Sequence, residues 1–263
     1  YSPMAKLLKL YRQKVLFIHI EGGFAHQPRW ADFKRQGSVV INVKYQLTPE
    51  QIADMDIILL QDTIKKYLHF SNDEWKQTVR YSFRSPKRAE GLQRLLYMCP
   101  KCNAVDTLKT GGNRIVCSKC NTITVLDDSD NLTSLDTPFT RLSQWHSWEA
   151  SEIGNRAVLE PEPGVLFQKG DADNEGGLET ISKKITVQLK DDVIIVTCKG
   201  IRGRQYQLPL NQVSSLILNA KQTIELFLGD ILYRIRLLPG ASSLKYHEYY
   251  ISYVNRKSRK DIV

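Results

Sequence analysis

Four of the five cysteines stand as two Cys-x-x-Cys pairs, Cys99-Pro100-Lys101-Cys102 and Cys117-Ser118-Lys119-Cys120. Each pair turns tightly enough to aim two sulfurs at one point, and two such pairs complete a tetrahedral sulfur site for zinc. The 14 residues between the pairs suit a two-stranded ribbon turning at Gly111-Gly112. The sequence therefore predicts a zinc ribbon over 96–126, with Cys99, Cys102, Cys117 and Cys120 as ligands. Four thiolates leave no open coordination position, so the expected cofactor is a structural zinc and not a catalytic one. Cys198 has no evident partner. Thiolate knuckles beside a lone thiol point to a reducing cytoplasm.

No segment approaches the ~20 apolar residues that span a bilayer, and the basic start is not followed by the apolar stretch of a secretory signal. Tyr1-Ser2-Pro3 reads as a processed, engineered or truncated start, and further chain is expected upstream. The net charge of +9 favours anionic partners, such as nucleic acid, acidic lipid headgroups or phosphorylated metabolites. It is unevenly spread. Residues 1–45 carry eight Lys/Arg against Glu21 and Asp32, whereas 127–136 holds Asp127, Asp128, Asp130 and Asp136.

Periodicity predicts a helix over 4–13 and a strand over 15–20, nearly all apolar and expected to be buried on both faces. A second strand is expected over 38–44. Thr48, Pro49 and Gln51 form a capping-box start for a helix running to His69. An arm over 86–98 leads into the ribbon, and 127–137 reads as a polar linker. Thr137-Pro138 is placed to cap a short helix carrying Leu142, Trp145 and Trp148. Glu160-Pro161-Glu162-Pro163-Gly164 reads as a domain boundary. Beyond it, strands are predicted over 164–169, 184–189, 193–198, 205–209, 222–228 and 231–237, with turns at Asp191-Asp192 and Gly229-Asp230. A loose acidic loop is expected over 171–177 and a closing helix over 242–254. This is the pattern of a small antiparallel sandwich resembling the pleckstrin-homology/GRAM class. The expected fold is α+β and multidomain, divided as 1–95, 96–126, 127–159 and 160–263.

Few residues outside the cysteines suggest chemistry. His69 stands near Asp73 and Glu74, but at a helix end, where such residues are ordinary. His26 lies near Arg29 in the loop after Gly22-Gly23, and a glycine pair after a buried strand lets backbone approach a ligand. His19, His146 and His247 read as structural. Trp145, Trp148, Tyr246, Tyr249, Tyr250 and Tyr253 read as core rather than as a membrane-facing patch.

One ordered series of motifs is more specific. It comprises Gly22-Gly23-Phe24, Pro28-Arg29-Trp30, the helix over 48–69, Asp73-Glu74-Trp75-Lys76-Gln77, Arg88-Ala89-Glu90-Gly91-Leu92 and the Cys-Pro-x-Cys ribbon. This series resembles the C-terminal half of bacterial lysophosphatidic acid (1-acylglycerol-3-phosphate) acyltransferases of the glycerolipid acyltransferase family. The resemblance covers about residues 4–125, and the later β domain resembles an accessory domain of longer members. It implies that 1–95 is the end of an α/β acyltransferase domain, whose partners are lysophosphatidic acid, an acyl thioester and an anionic membrane surface. It also implies a peripheral place at the inner face of the cell membrane. Gly22, Gly23 and Arg29 are then candidate substrate-binding residues. The family's catalytic HxxxxD is absent: His19 reaches Phe24, His26 reaches Ala31 and His69 reaches Glu74. The EGT-type block is absent too, and the fourth block, matched by 15–23, lacks its usual proline. No catalytic residue is assigned, and the expectation is a fragment inactive by itself.

Two alternatives stand beside that reading. A zinc ribbon with a basic chain fits nucleic-acid binding, although Lys101, Lys109, Arg114 and Lys119 are few for that purpose. The ribbon and β domain also fit a module that docks a protein or lipid headgroup.

Overall fold

The computed structural model describes residues 2–79, 82–171, 177–200 and 203–260. The chain divides into two compact units, Tyr1–Arg29 with Phe33–Ser85, and Trp30–Asp32 with Pro86–Val263. It is mixed α+β with a C-terminal helix, as the sequence predicts.

The first unit contains α1 (Ser2–Tyr11), β1 (Val15–Glu21), α2 (Gly23–His26), β2 (Val40–Leu47), α3 (Pro49–Asp54), α4 (Ile57–Leu68) and α5 (Asn72–Thr78). β1 and β2 pair antiparallel, and no third strand joins them among the described residues. Strand alternation, reversed along β2 by a bulge between Val43 and Tyr45, divides the ribbon into two faces. Val15, Phe17, Tyr45 and Leu47 face a core with Ala5, Ile52, Leu60 and Ile64 of the helices. The other face carries Leu16, Ile18, Ile20, Ile41 and Val43, all exposed. The expectation of a strand buried on both faces is therefore corrected, because helices cover only one.

The predicted helix over 48–69 is two helices. Thr48 and Gln51 do form the capping box, but Asp56 restarts the helix by accepting the amides of Ile58 and Leu59, both at 2.8 Å. A side chain that caps so well competes with helix continuation.

The second unit opens with a four-stranded antiparallel meander of β3 (Leu108–Gly111), β4 (Arg114–Cys117), β5 (Ile123–Leu126) and β6 (Leu132–Thr133). The predicted linker over 127–137 is thus partly sheet. The Asp127 carboxylate accepts the amides of Ser129 and Asn131 at 2.8 Å and folds the turn back. α6 (Leu142–Ile153) follows, started by Gln144 reaching back to the Arg141 amide, not by Thr137.

Then come β7 (Val158–Asp171), β8 (Glu179–Ser182), β9 (Ile185–Lys190), β10 (Val193–Cys198), β11 (Gln205–Pro209), β12 (Val213–Asn219), β13 (Thr223–Leu228), β14 (Ile231–Leu237) and α7 (Leu244–Lys260). The strand order is β11-β10-β9-β7-β14-β13-β12, with β8 on β7. β7 joins the two halves of the sheet, pairing with β9 up to Gly164 and with β14 from there on. The Glu160–Gly164 segment is therefore strand and not a boundary. The ladder shifts register between Leu159 and Glu162, and that irregularity accommodates Pro161, which has no amide to donate. Tyr246, Tyr249 and Tyr250 of α7 are buried in the sheet's core with Phe167, Ile194, Leu226 and Ile235. These tyrosines, with Trp145, are core as expected.

Gly22 precedes α2 at φ 80°, and a Cβ there would lie 2.5 Å from the Ser38 carbonyl oxygen and 2.9 Å from Phe83. At Gly23 the nearest atom would be Ile20 Cγ2 at 3.1 Å. Gly22→Ala is expected to destabilise the first unit by at least ~1–2 kcal/mol, and Gly23→Ala by markedly less. Urea titrations of the two variants check this.

Candidate metal centre

The two cysteine pairs close over one point. Cys99 Sγ lies 3.6 Å from Cys120 Sγ, and Cys102 Sγ lies 3.7 Å from Cys117 Sγ. All four sulfurs fall within 4.8 Å of one another. These separations are far beyond a disulfide's ~2.05 Å. They match the ~3.8 Å edge of a tetrahedron with metal–sulfur bonds of ~2.3 Å. The cluster can hold a metal ion.

The two knuckles are built alike. The Asn103 amide donates to the Cys99 carbonyl and the Asn121 amide to the Cys117 carbonyl, each at 2.9 Å. Each asparagine takes the left-handed conformation, at φ 56° and 59°, which asparagine tolerates better than most residues. Cys-x-Lys-Cys-Asn therefore occurs twice, once per knuckle. The cysteine spacing reveals the ligands, and this repeat reveals the turn residues that spacing alone passes over.

Hydroxyls support two of the sulfurs. Thr107 Oγ1 lies 3.3 Å from Cys117 Sγ, and Thr122 Oγ1 lies 3.3 Å from Cys120 Sγ. The hydroxyl and amide of Thr122 bring the Cys120 thiol down to about 6. Burial opposes ionisation of Cys117, but the Thr107 hydroxyl and the Cys120 and Lys119 amides bring it below its ordinary value. Burial pushes Cys99 up to about 12 and raises Cys102 as well. Four thiolates this close repel one another, and only a bound cation stabilises all four.

The first knuckle is anchored from behind. Glu149 on α6 is fully buried, and its Oε2 accepts the amides of Tyr97 at 2.9 Å and Met98 at 3.0 Å. The Trp145 indole donates to the Met98 carbonyl at 2.9 Å. His146 then bridges α6 to α7, with Nδ1 3.3 Å from Glu149 Oε1 and Nε2 3.0 Å from Glu248 Oε1. The Tyr97 hydroxyl closes the circuit by donating to Glu248. Burial favours neutral imidazole, but the two carboxylates prevail and raise His146 to about 10. Burial raises the Glu149 carboxyl to about 7, against the imidazolium and the two amides. The sequence does not reveal this network, because Tyr97, the pair His146 and Glu149, and Glu248 lie far apart in the chain.

The other candidates lie elsewhere. Gly22 and Gly23 start α2, where Gly22's lack of a side chain admits Ser38 and Phe83. Arg29 is exposed. His19 Nε2 lies 2.8 Å from the Tyr67 carbonyl, and exposed His69 stands 3.7 Å from Glu74. Trp30 is buried in the core that contains Cys99 and Cys117. Its carbonyl accepts from Arg94 Nη1 at 2.6 Å and sits where a Cβ at Gly91, φ 85°, would stand. Two of the motifs singled out in the sequence thus meet in one contact. Cys198 is a buried free thiol raised by that burial. No helix among the described residues is long and apolar enough to cross a membrane.

Comparison with protein-family models, curated proteins and solved structures gives no match.

Two outcomes follow from this geometry. Chelation of the metal, or Cys102→Ser, is expected to lower the unfolding temperature of the second unit by well over 5 °C, whereas Cys198→Ser leaves metal stoichiometry unchanged. Calorimetry with metal analysis reads both. The folded protein also holds the His146 proton more tightly than the unfolded chain, whose histidine titrates near 6.5. That stabilisation is complete below about pH 6.5 and is lost as the pH rises toward about 10. Urea midpoints should fall across this window in the wild type and much less in His146→Leu.

Proposed function

We propose that this chain is the C-terminal part of a glycerolipid acyltransferase, which moves a fatty acyl group from an acyl thioester to lysophosphatidic acid. The observation that carries the reading is the outer face of the β1–β2 ribbon. Leu16, Ile18, Ile20, Ile41 and Val43 are 44–67% exposed there, on a sheet of two strands. A two-stranded sheet is marginal in water, and an α/β sheet is covered on both faces. The apolar face therefore suits a sheet completed by further strands and helices. The catalytic His and Asp would come from those, since HxxxxD is absent here. Gly22, Gly23 and Arg29 remain the substrate-side candidates.

In this reading the sulfur site holds structural zinc in a ribbon. Thiolate ligands select zinc or iron–sulfur clusters, and four of them leave no place for a substrate. The antiparallel sheet closed by α7 supports the resemblance of the β part to the pleckstrin-homology/GRAM class, as an accessory unit. The enzyme would work at the inner face of the cell membrane, where its lipid acceptor resides. A second reading, a protein- or lipid-docking module, draws support from the second unit's own closed core.

The test is acyl transfer by the complete reading frame, assayed with detergent-dispersed lysophosphatidic acid and an acyl thioester. Turnover is expected from the complete protein, loss on replacing the upstream HxxxxD histidine, and none from residues 1–263 alone. A reading frame with no upstream HxxxxD, or no transfer by the complete protein, contradicts the proposal.

A further inference from the structure

A second unmet apolar surface lies on α1, on the side away from the β1–β2 ribbon. Ala5 and Leu8 turn inward to the core shared with α4 and the ribbon. Met4, Leu7, Leu10 and Tyr11 turn outward and are 43%, 49%, 76% and 62% exposed. Positions 4, 7, 10 and 11 fall on one continuous side of a helix. Strands or helices that complete the ribbon's outer face would not reach this side, because α1 and α4 form the layer on the opposite face. The stripe therefore needs a cover of its own.

Charge identifies that cover. Lys6, Arg12 and Lys14 are exposed in and just after the helix. Lys9 instead turns inward, and its ammonium donates to the Ala53 carbonyl at 2.9 Å. The first twenty residues contain no Asp or Glu. An outward apolar stripe among uncompensated bases is the make-up of a helix that lies in the plane of an anionic bilayer, apolar side down.

We infer that the outward side of α1 is a lipid-contact surface, seating Leu7, Leu10 and Tyr11 among the headgroups of an anionic membrane. The inference rests on the acyltransferase reading for its setting, but it makes a separate claim about these side chains.

The test is cosedimentation of the 263-residue chain with vesicles of phosphatidylcholine containing about one-third phosphatidylglycerol, against pure phosphatidylcholine. Binding is expected only to the anionic vesicles, and it should weaken as salt rises. Leu7→Ser with Leu10→Ser should reduce partitioning at least about tenfold. Lys6→Gln with Arg12→Gln and Lys14→Gln should reduce it on the order of a hundredfold. All five positions are exposed, and an unchanged circular dichroism spectrum confirms that each variant folds. Equal binding by wild type and both variants overturns the inference, as does no binding by the wild type. A wild type that dimerises through the stripe, with Leu7→Ser/Leu10→Ser monomeric and neither form bound to vesicles, overturns it too. The vesicles contain neither acyl acceptor nor thioester, so failure here leaves the acyl-transfer assay to be judged separately.

Discussion

Four sulfurs held within 4.8 Å of one another are a constraint that protein groups alone satisfy poorly. The threonine hydroxyls and knuckle amides favour the ionised form at Cys117 and Cys120, while burial resists it at Cys99 and Cys102. A divalent cation bound there would resolve the conflict by stabilising all four thiolates together. The surrounding fold is tied directly to these knuckles. Cys99 and Cys117 lie in the same core as Leu96, Trp145 and Trp30, so releasing the knuckles opens that core. Met98, the residue before Cys99, is bound by Glu149 and Trp145 of α6, and His146 carries the connection to α7. The sulfur cluster, α6, α7 and the antiparallel sheet all belong to one compact unit, Trp30–Asp32 with Pro86–Val263.

The first unit presents the opposite situation. Its elements are locally well specified, with a capping box at Thr48 and a second cap at Asp56. Yet its ribbon and α1 both turn apolar side chains to water. Such surfaces mark sites of interaction. In the readings proposed above, the ribbon's outer face takes further strands of the same sheet, and the apolar stripe on α1, with bases beside it, takes lipid.

Much of the sulfur site was legible because its information is local. Cysteine spacing reports the ligands, and a short hairpin brings the pairs together, turning at Gly112-Asn113, one residue beyond the expected Gly111-Gly112. The Asp191-Asp192 turn was legible for the same reason, with both residues at positive φ. What the sequence concealed was set by distant partners or by small competing effects. Apolar periodicity runs unbroken through Asp56, so the break was visible only as a cap. Pro161 and Pro163 read as punctuation, although an irregular ladder carries a strand through them. Ser214 and Ser215 dilute the apolar signal of β12, so that strand does not stand out in the sequence. The apolar run of Val15–Ile20 looked doubly buried, because composition reports what a face needs and not whether its cover is present. The Glu149–His146–Glu248 network required knowledge of which helices meet.

The four cysteines are proposed to hold one zinc ion between them. X-ray absorption at the zinc edge of the purified chain tests it most directly. The account predicts one zinc per chain with four sulfur neighbours at ~2.3 Å. A first shell containing nitrogen or oxygen at ~2.0 Å, or a chain that folds without retaining zinc, would contradict it.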